Sequence, residues 1–131
     1  MKLSVGIVGY GIVGKRRRIF IDKHPALQTV SVCDVRFQKG GSMVDGAKIK
    51  YTYDQLENQS HSKKLTGTTD DGIQYFNNYT DLLNGCQLDI LFVCVPNYLA
   101  PEVTIAGLEN GLHVFCEKPP GRTVDDMKMV I

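Results

Sequence analysis

Apolar residues along the chain gather in short unbroken runs, separated by longer stretches with helical spacing. Residues 3–8 form the first run, followed at once by Gly9, Gly11 and Gly14. Residues 12–23 read as a helix, with Lys15, Arg16, Arg17 and Arg18 on its solvated face. His24-Pro25 ends it, because the residue before a proline disfavours helix. Residues 29–33 are β-branched and apolar, a second strand with Asp34 at its C-terminal end. Strand, helix and strand together span about thirty residues, the size of a βαβ unit.

Residues 38–71 break the pattern with Gly-Gly, several Lys, Ser and Thr, and little periodicity. A weak helix is expected at 53–65 and loop elsewhere; connections this long are often functional. Order returns with a short strand at 73–76 and a helical turn at 79–83. Residues 88–95 are almost wholly apolar, which suits a parallel strand covered on both faces. Pro96-Asn97 stops that strand. A helix at 99–109 tolerates Pro101 in its first turn and has Gly111 just past its end. A strand at 112–116 runs into Glu117-Lys118-Pro119-Pro120-Gly121. Thr123 can cap a last helix, with Asp125 and Asp126 in its first turn, and the sequence ends within it at Ile131. Alternating strands and helices predict an α/β fold: a doubly wound parallel sheet with right-handed crossovers. The expectation is one domain over residues 1–131, with 38–71 as an atypically long connection.

Composition changes this picture little. Of 131 residues, 43% are hydrophobic and 22% charged, the balance of an ordinary globular domain. A net charge of +1 and few aromatics among the basic residues argue against a nucleic-acid surface. The apolar runs are too short to span a bilayer, and no leader pattern opens the chain, so a cytoplasmic protein without membrane contact is expected. Cys33, Cys86, Cys94 and Cys116 lack C-x-x-C or zinc-finger spacing, so reduced structural cysteines and no metal site are expected. His113 opens a strand and is read as a packing histidine.

The glycines carry the chemistry. Gly9-x-Gly11-x-x-Gly14 follows a strand, opens a helix and has Asp34 about twenty residues on, the context a dinucleotide-binding (Rossmann) fingerprint requires. Gly9 permits the turn, Gly11 admits the cofactor pyrophosphate, and Gly14 lets the helix approach the sheet. The helix N-terminus, with Ile12 and Val13 in its first turn, offers free amides and partial positive charge to phosphates. Asp34 is placed to accept the adenosine ribose hydroxyls and to repel a 2′-phosphate, favouring NAD over NADP. Arg36 could instead stack on adenine or attract a 2′-phosphate.

The stretch from Asp89 to Pro120, with its G-L-H-V-F-C-E-K-P-P ending, and the opening G-I-V-G-Y-G-I-V-G together resemble the N-terminal domain of the Gfo/Idh/MocA oxidoreductases. The resemblance covers the chain except about 38–71. It implies NAD(P)-dependent hydride transfer at a carbon of a sugar, cyclitol or nucleotide-sugar. Glu117-Lys118-Pro119 matches the family's E-K-P element. Lys118 would then lie beside the nicotinamide and contact the reacting oxygen, and Pro119 would follow a cis peptide bond. Pro96, Asn97 and Glu117 would join Gly9, Gly11, Ile12, Val13, Gly14, Asp34, Arg36 and Lys118 around the cofactor. The family often has a histidine where this chain has Ala100.

The family's C-terminal α/β substrate domain, through which a homo-oligomer would form, has no counterpart in these residues. The expectation is therefore an N-terminal fragment that binds cofactor but is inactive alone. The alternative is a non-catalytic nucleotide-sensing or protein-interaction module. The fragment reading further predicts an exposed apolar patch.

Overall fold

The computed structural model describes residues 1–37 and 72–131; the helix expected at 53–65 lies outside them. Strand β1 (Leu3–Val8) encloses Val5 and Ile7 completely on one face, and alternation turns Gly6 and Val8 to the other. Helix α1 (Ile12–Lys23) buries Gly14 and Ile21, seven positions apart, against the sheet. Helical spacing puts Arg17 and Arg18 between them on the same stripe. Strand β2 (Leu27–Cys33) starts two residues earlier than its β-branched run suggests, because Leu27 pairs with Leu3. The Leu3 N–H donates to the Ala26 carbonyl at 2.8 Å just before it.

Strand β3 (Gln74–Phe76) leads into helix α2 (Tyr79–Gly85), capped by the Asn78 side chain, which accepts the Thr80 N–H at 2.8 Å. Strand β4 (Ile90–Val93) is shorter than the apolar run 88–95. Hydrogen bonding to β1 nevertheless continues beyond it, from Asp89 N–H to the Ser4 carbonyl (2.9 Å) and from Cys94 N–H to the Val8 carbonyl (2.7 Å). Helix α3 (Ala100–Glu109) carries Pro101 in its first turn, where no intrahelical donor is lost. Strand β5 (His113–Cys116) precedes helix α4 (Val124–Val130), which opens on a Thr123–Asp126 capping box.

Among the described residues all four strand pairings are parallel, in the order β3-β2-β1-β4-β5. The chain starts at the centre, winds outward through β2 to β3, then returns to β4 beside β1. This is the doubly wound sheet expected, and its switch point lies between β1 and β4. One core joins Val5, Ile7, Ile21, Val32 and Phe37 under α1. The other joins Val8, Leu82, Leu91, Val93 and Val103 under α2 and α3. Each fully enclosed aliphatic side chain contributes about 1.5–3 kcal/mol. The outer strand β5 is less covered: His113 is exposed, not packed as its strand position suggested, and Phe115 is 47% exposed.

Two glycines set where α1 sits. Gly9 turns out of β1 with φ +94°, and a Cβ there would lie 2.4 Å from the Cys94 carbonyl oxygen. A Cβ on Gly14 would lie 2.0 Å from the Gly9 carbonyl oxygen, a backbone atom that cannot yield cheaply. Gly111 has φ +76°, but among the described residues no atom lies within 4 Å of a Cβ built there. Gly14→Ala is therefore expected to destabilise the chain by about 2–3 kcal/mol through overpacking, and Gly111→Ala by only about 1 kcal/mol through backbone strain. Urea unfolding measures both; a Gly14→Ala loss no larger than that of Gly111→Ala would contradict the close-packing argument.

Candidate functional site

Four loops leave the C-terminal ends of parallel strands and so meet at one edge of the sheet. Gly9, Gly11, Ile12, Val13 and Gly14 follow β1, and Asp34 and Arg36 follow β2. Pro96 and Asn97 follow β4, and Glu117 and Lys118 follow β5. The loops are bonded to one another. Gly9 N–H donates to the Cys33 carbonyl at 2.8 Å, Tyr10 N–H to Asp34 Oδ2 at 3.0 Å, and Glu117 N–H to the Val93 carbonyl at 3.0 Å.

Among the described residues, the N-terminus of α1 has no capping side chain. Gly11 is its N-cap with no side-chain cap, and no acidic residue lies in the first turn. The amides of Ile12, Val13 and Gly14 precede the first intrahelical bond, from Lys15 N–H to the Gly11 carbonyl at 2.9 Å. A Cβ at Gly11 would meet, among the described residues, only Arg36 Nη2 at 3.5 Å. A cradle that is open among the described residues, beside amides without an intrahelical partner and partial positive charge, fits a phosphate group.

Asp34 is 7% exposed and its carboxylate is fully engaged. Oδ1 accepts the Arg36 backbone N–H at 3.0 Å and Arg36 Nε at 2.9 Å; Oδ2 accepts Arg36 Nη2 at 2.9 Å besides the Tyr10 amide. Arg36 thus grips Asp34 with both prongs of its fork, and the same guanidinium overhangs the glycine turn.

At the other end of the edge, Lys118 is exposed and is joined to Pro119 by the expected cis peptide bond. Its neighbour Glu117 is half-buried and accepts a hydrogen bond from Arg17 Nε. That bond holds the Glu117 carboxyl below its usual range and raises the Arg17 guanidinium above its own. The Arg17 guanidinium also lies 5.8 Å from the centre of the Phe115 ring, which stacks on Phe92 at 4.7 Å.

The basic run of α1 is thus not the solvated face its sequence suggested. Arg16 alone of the four is exposed; Lys15, Arg17 and Arg18 lie half-buried, Arg18 bonded to Tyr10 Oη (2.9 Å) and Asp22 (3.3 Å). Sequence reasoning missed Arg17 as a member of this edge. The available signal was its position three residues after Gly14, on the stripe that faces the sheet.

All four cysteines are free. Burial pushes the Cys33 and Cys94 thiols up to about 12, with the negative charges of Asp34 and Glu117 adding to the effect. Neither is a nucleophile near neutral pH. A cleft of about 430 Å³ opens at the opposite, N-terminal edge, between Ser4, Cys86, Asp89 and Asn110, and holds none of the candidate residues. Among the described residues no helix is long and apolar enough to cross a membrane.

Comparison with known proteins agrees with this geometry. Residues 3–131 match the model of the Gfo/Idh/MocA oxidoreductase family, NAD-binding Rossmann fold. The chain is 26% identical over 132 aligned positions to inositol 2-dehydrogenase of Salmonella typhimurium, covering all of this chain and 33% of that protein. The WlbA dehydrogenase of Bordetella pertussis, solved with NADH and UDP-GlcNAcA, superposes with a TM-score of 0.72 at 22% identity, covering 100% of this chain and 33% of the other. Scyllo-inositol dehydrogenase from Lactobacillus casei, solved with NAD(H) and scyllo-inositol, gives 0.70 at 20% identity, covering 99% and 32%. The chain spans about a third of the length of the curated relatives it matches first. Fold, glycine turn and family match converge: the chain belongs to the Gfo/Idh/MocA oxidoreductases and is built as their NAD-binding Rossmann fold.

Proposed function

We propose that this chain binds NAD(H) along the C-terminal edge of its sheet. It would serve there as the cofactor half of an enzyme oxidising or reducing a CH–OH carbon of a sugar, cyclitol or nucleotide-sugar. The observation that carries the reading is the N-terminus of α1, uncapped among the described residues and opening on the same edge as a buried carboxylate and an exposed lysine.

The amides after Gly11 hold the pyrophosphate, and the small residues Gly9 and Gly14 keep the turn and helix close enough to present them. Ile12 and Val13, both exposed, offer apolar surface beside it. Asp34 accepts the adenosine ribose hydroxyls once Arg36 yields its place. Pro96, Asn97 and Glu117 border the reacting end. The bound cofactor supplies a hydride acceptor or donor. Lys118 holds the reacting oxygen, its ammonium lowering the energy of charge that develops there.

NAD is the preferred form, because a buried carboxylate at the end of β2 repels a 2′-phosphate. Arg36 blunts that preference by partly neutralising Asp34. Substrate selection and any homo-oligomer belong to a substrate domain, which these 131 residues do not supply; alone the chain binds cofactor without turning over. The bare flank of β5 and the exposed Phe20, one turn from Arg17 on α1, are the apolar surface such a domain would cover. Pairing of Arg17 and Arg18 within the fold speaks against nucleic acid as a partner. Four free thiols suit the cytoplasm.

Calorimetric titration with NAD⁺, NADH, NADP⁺ and NADPH tests the reading. NADH should bind about tenfold tighter than NADPH. Asp34→Ala should erase that preference and Arg36→Ala should widen it; tighter NADPH binding by the unmodified chain would contradict the role given to Asp34. Gly11→Ala should weaken every one of the four ligands by about tenfold or more while changing unfolding stability by less than about 0.5 kcal/mol. Undiminished binding by that variant would place the phosphates elsewhere.

A further inference from the structure

We propose that Arg17 is a positioning residue for Lys118. Through Glu117 and Phe115 it holds the loop after β5 in register with the phosphate-binding turn. The inference rests on the reading that this edge binds NAD(H) with Lys118 at the reacting end.

Arg17 lies on α1, three residues past Gly14, so its backbone moves with the amides that would hold phosphate. Its side chain crosses to the far end of the edge. Nε donates to the Glu117 carboxylate, a residue 100 positions away in sequence. The guanidinium carbon lies over the Phe115 ring, 5.8 Å from its centre, and Phe92 backs that ring by stacking at 4.7 Å and 22°. Glu117 is fixed twice, by its N–H to the Val93 carbonyl and by its side chain to α1. Lys118 follows immediately. The separation of the phosphate amides from the lysine is thus set by the sheet beneath and, from the α1 side, by one ion pair and one cation–ring contact.

Both partners are partly shielded, with side-chain exposures of 37% for Arg17 and 20% for Glu117. The pair is therefore less screened than a surface ion pair that contributes little. Arginine suits the place because a planar guanidinium can donate to a carboxylate and lie on a ring together; lysine offers only a point charge.

A residue that merely staples the fold would affect all ligands alike. A residue that positions the reacting end would affect only ligands that reach it. ADP-ribose carries the adenosine and pyrophosphate of NADH but no nicotinamide, so the two ligands separate the cases. The 131-residue chain, Arg17→Met and Arg17→Lys are titrated with each, and thermal unfolding is followed in parallel. Arg17→Met should weaken NADH about tenfold and ADP-ribose by less than about twofold; Arg17→Lys, which keeps the charge, should weaken NADH by about threefold. Equal losses for both ligands, or none for either, in the folded variants would overturn the inference and leave the cofactor site standing. If Arg17→Met does not fold, the ratio of NADH to ADP-ribose loss in Arg17→Lys decides alone. An unmodified chain that binds ADP-ribose as tightly as NADH also overturns it. An unmodified chain that binds neither ligand overturns the cofactor reading itself, and this inference with it.

Discussion

The seat of α1 on the turn after β1 depends on a missing side chain. With a Cβ on Gly14 only 2.0 Å from the Gly9 carbonyl oxygen, no other residue type lets the helix come this close. That approach decides three things at once. It brings the first-turn amides to the edge of the sheet, lets Ile21 reach the core, and carries Arg17 and Arg18 low enough to find partners rather than solvent. A helix standing further off the sheet would carry the amides and Arg17 away from the edge.

Around that fixed helix the edge is organised by two carboxylates, each held by an arginine. Asp34 is gripped by Arg36 after β2, and Glu117 by Arg17 from α1. The pairings differ in kind. The Asp34 grip is local, two residues apart, and its arginine is half in solvent, so it can yield to a ligand. The Glu117 pair spans the fold and is backed by a stacked ring, so it resists displacement. One end of the edge is thereby adjustable and the other held.

Much of this was legible in the sequence, for a physical reason. Short unbroken apolar runs bounded by turn residues and alternating with helical stretches read as strands of a parallel sheet, and β1, α1 and α4 lie where their patterns place them. Glycine spacing announced the turn because each glycine answers a separate steric demand. Among the boundaries that shifted, the start of β2 is set by the pairing of Leu27 with Leu3, a cross-strand contact that leaves no mark on hydrophobicity. His113 was misjudged because strand membership does not say whether a helix covers that strand. The basic run was misjudged because four adjacent cations look alike in sequence, while a helix turns each by about 100° to a different neighbour. Arg17 and Glu117 could not be paired by eye across 100 residues; only the sheet order brings them together.

The central claim is that cofactor lies along the C-terminal edge of the sheet, from the end of β2 across the α1 N-terminus to Lys118. The most direct measurement is amide chemical-shift mapping of the labelled chain during addition of NADH. The account predicts the largest changes at Gly11, Ile12, Val13 and Gly14, with further changes at Asp34, Arg36 and Lys118. Changes centred instead on Ser4, Cys86, Asp89 and Asn110, around the cleft at the opposite edge, would contradict it.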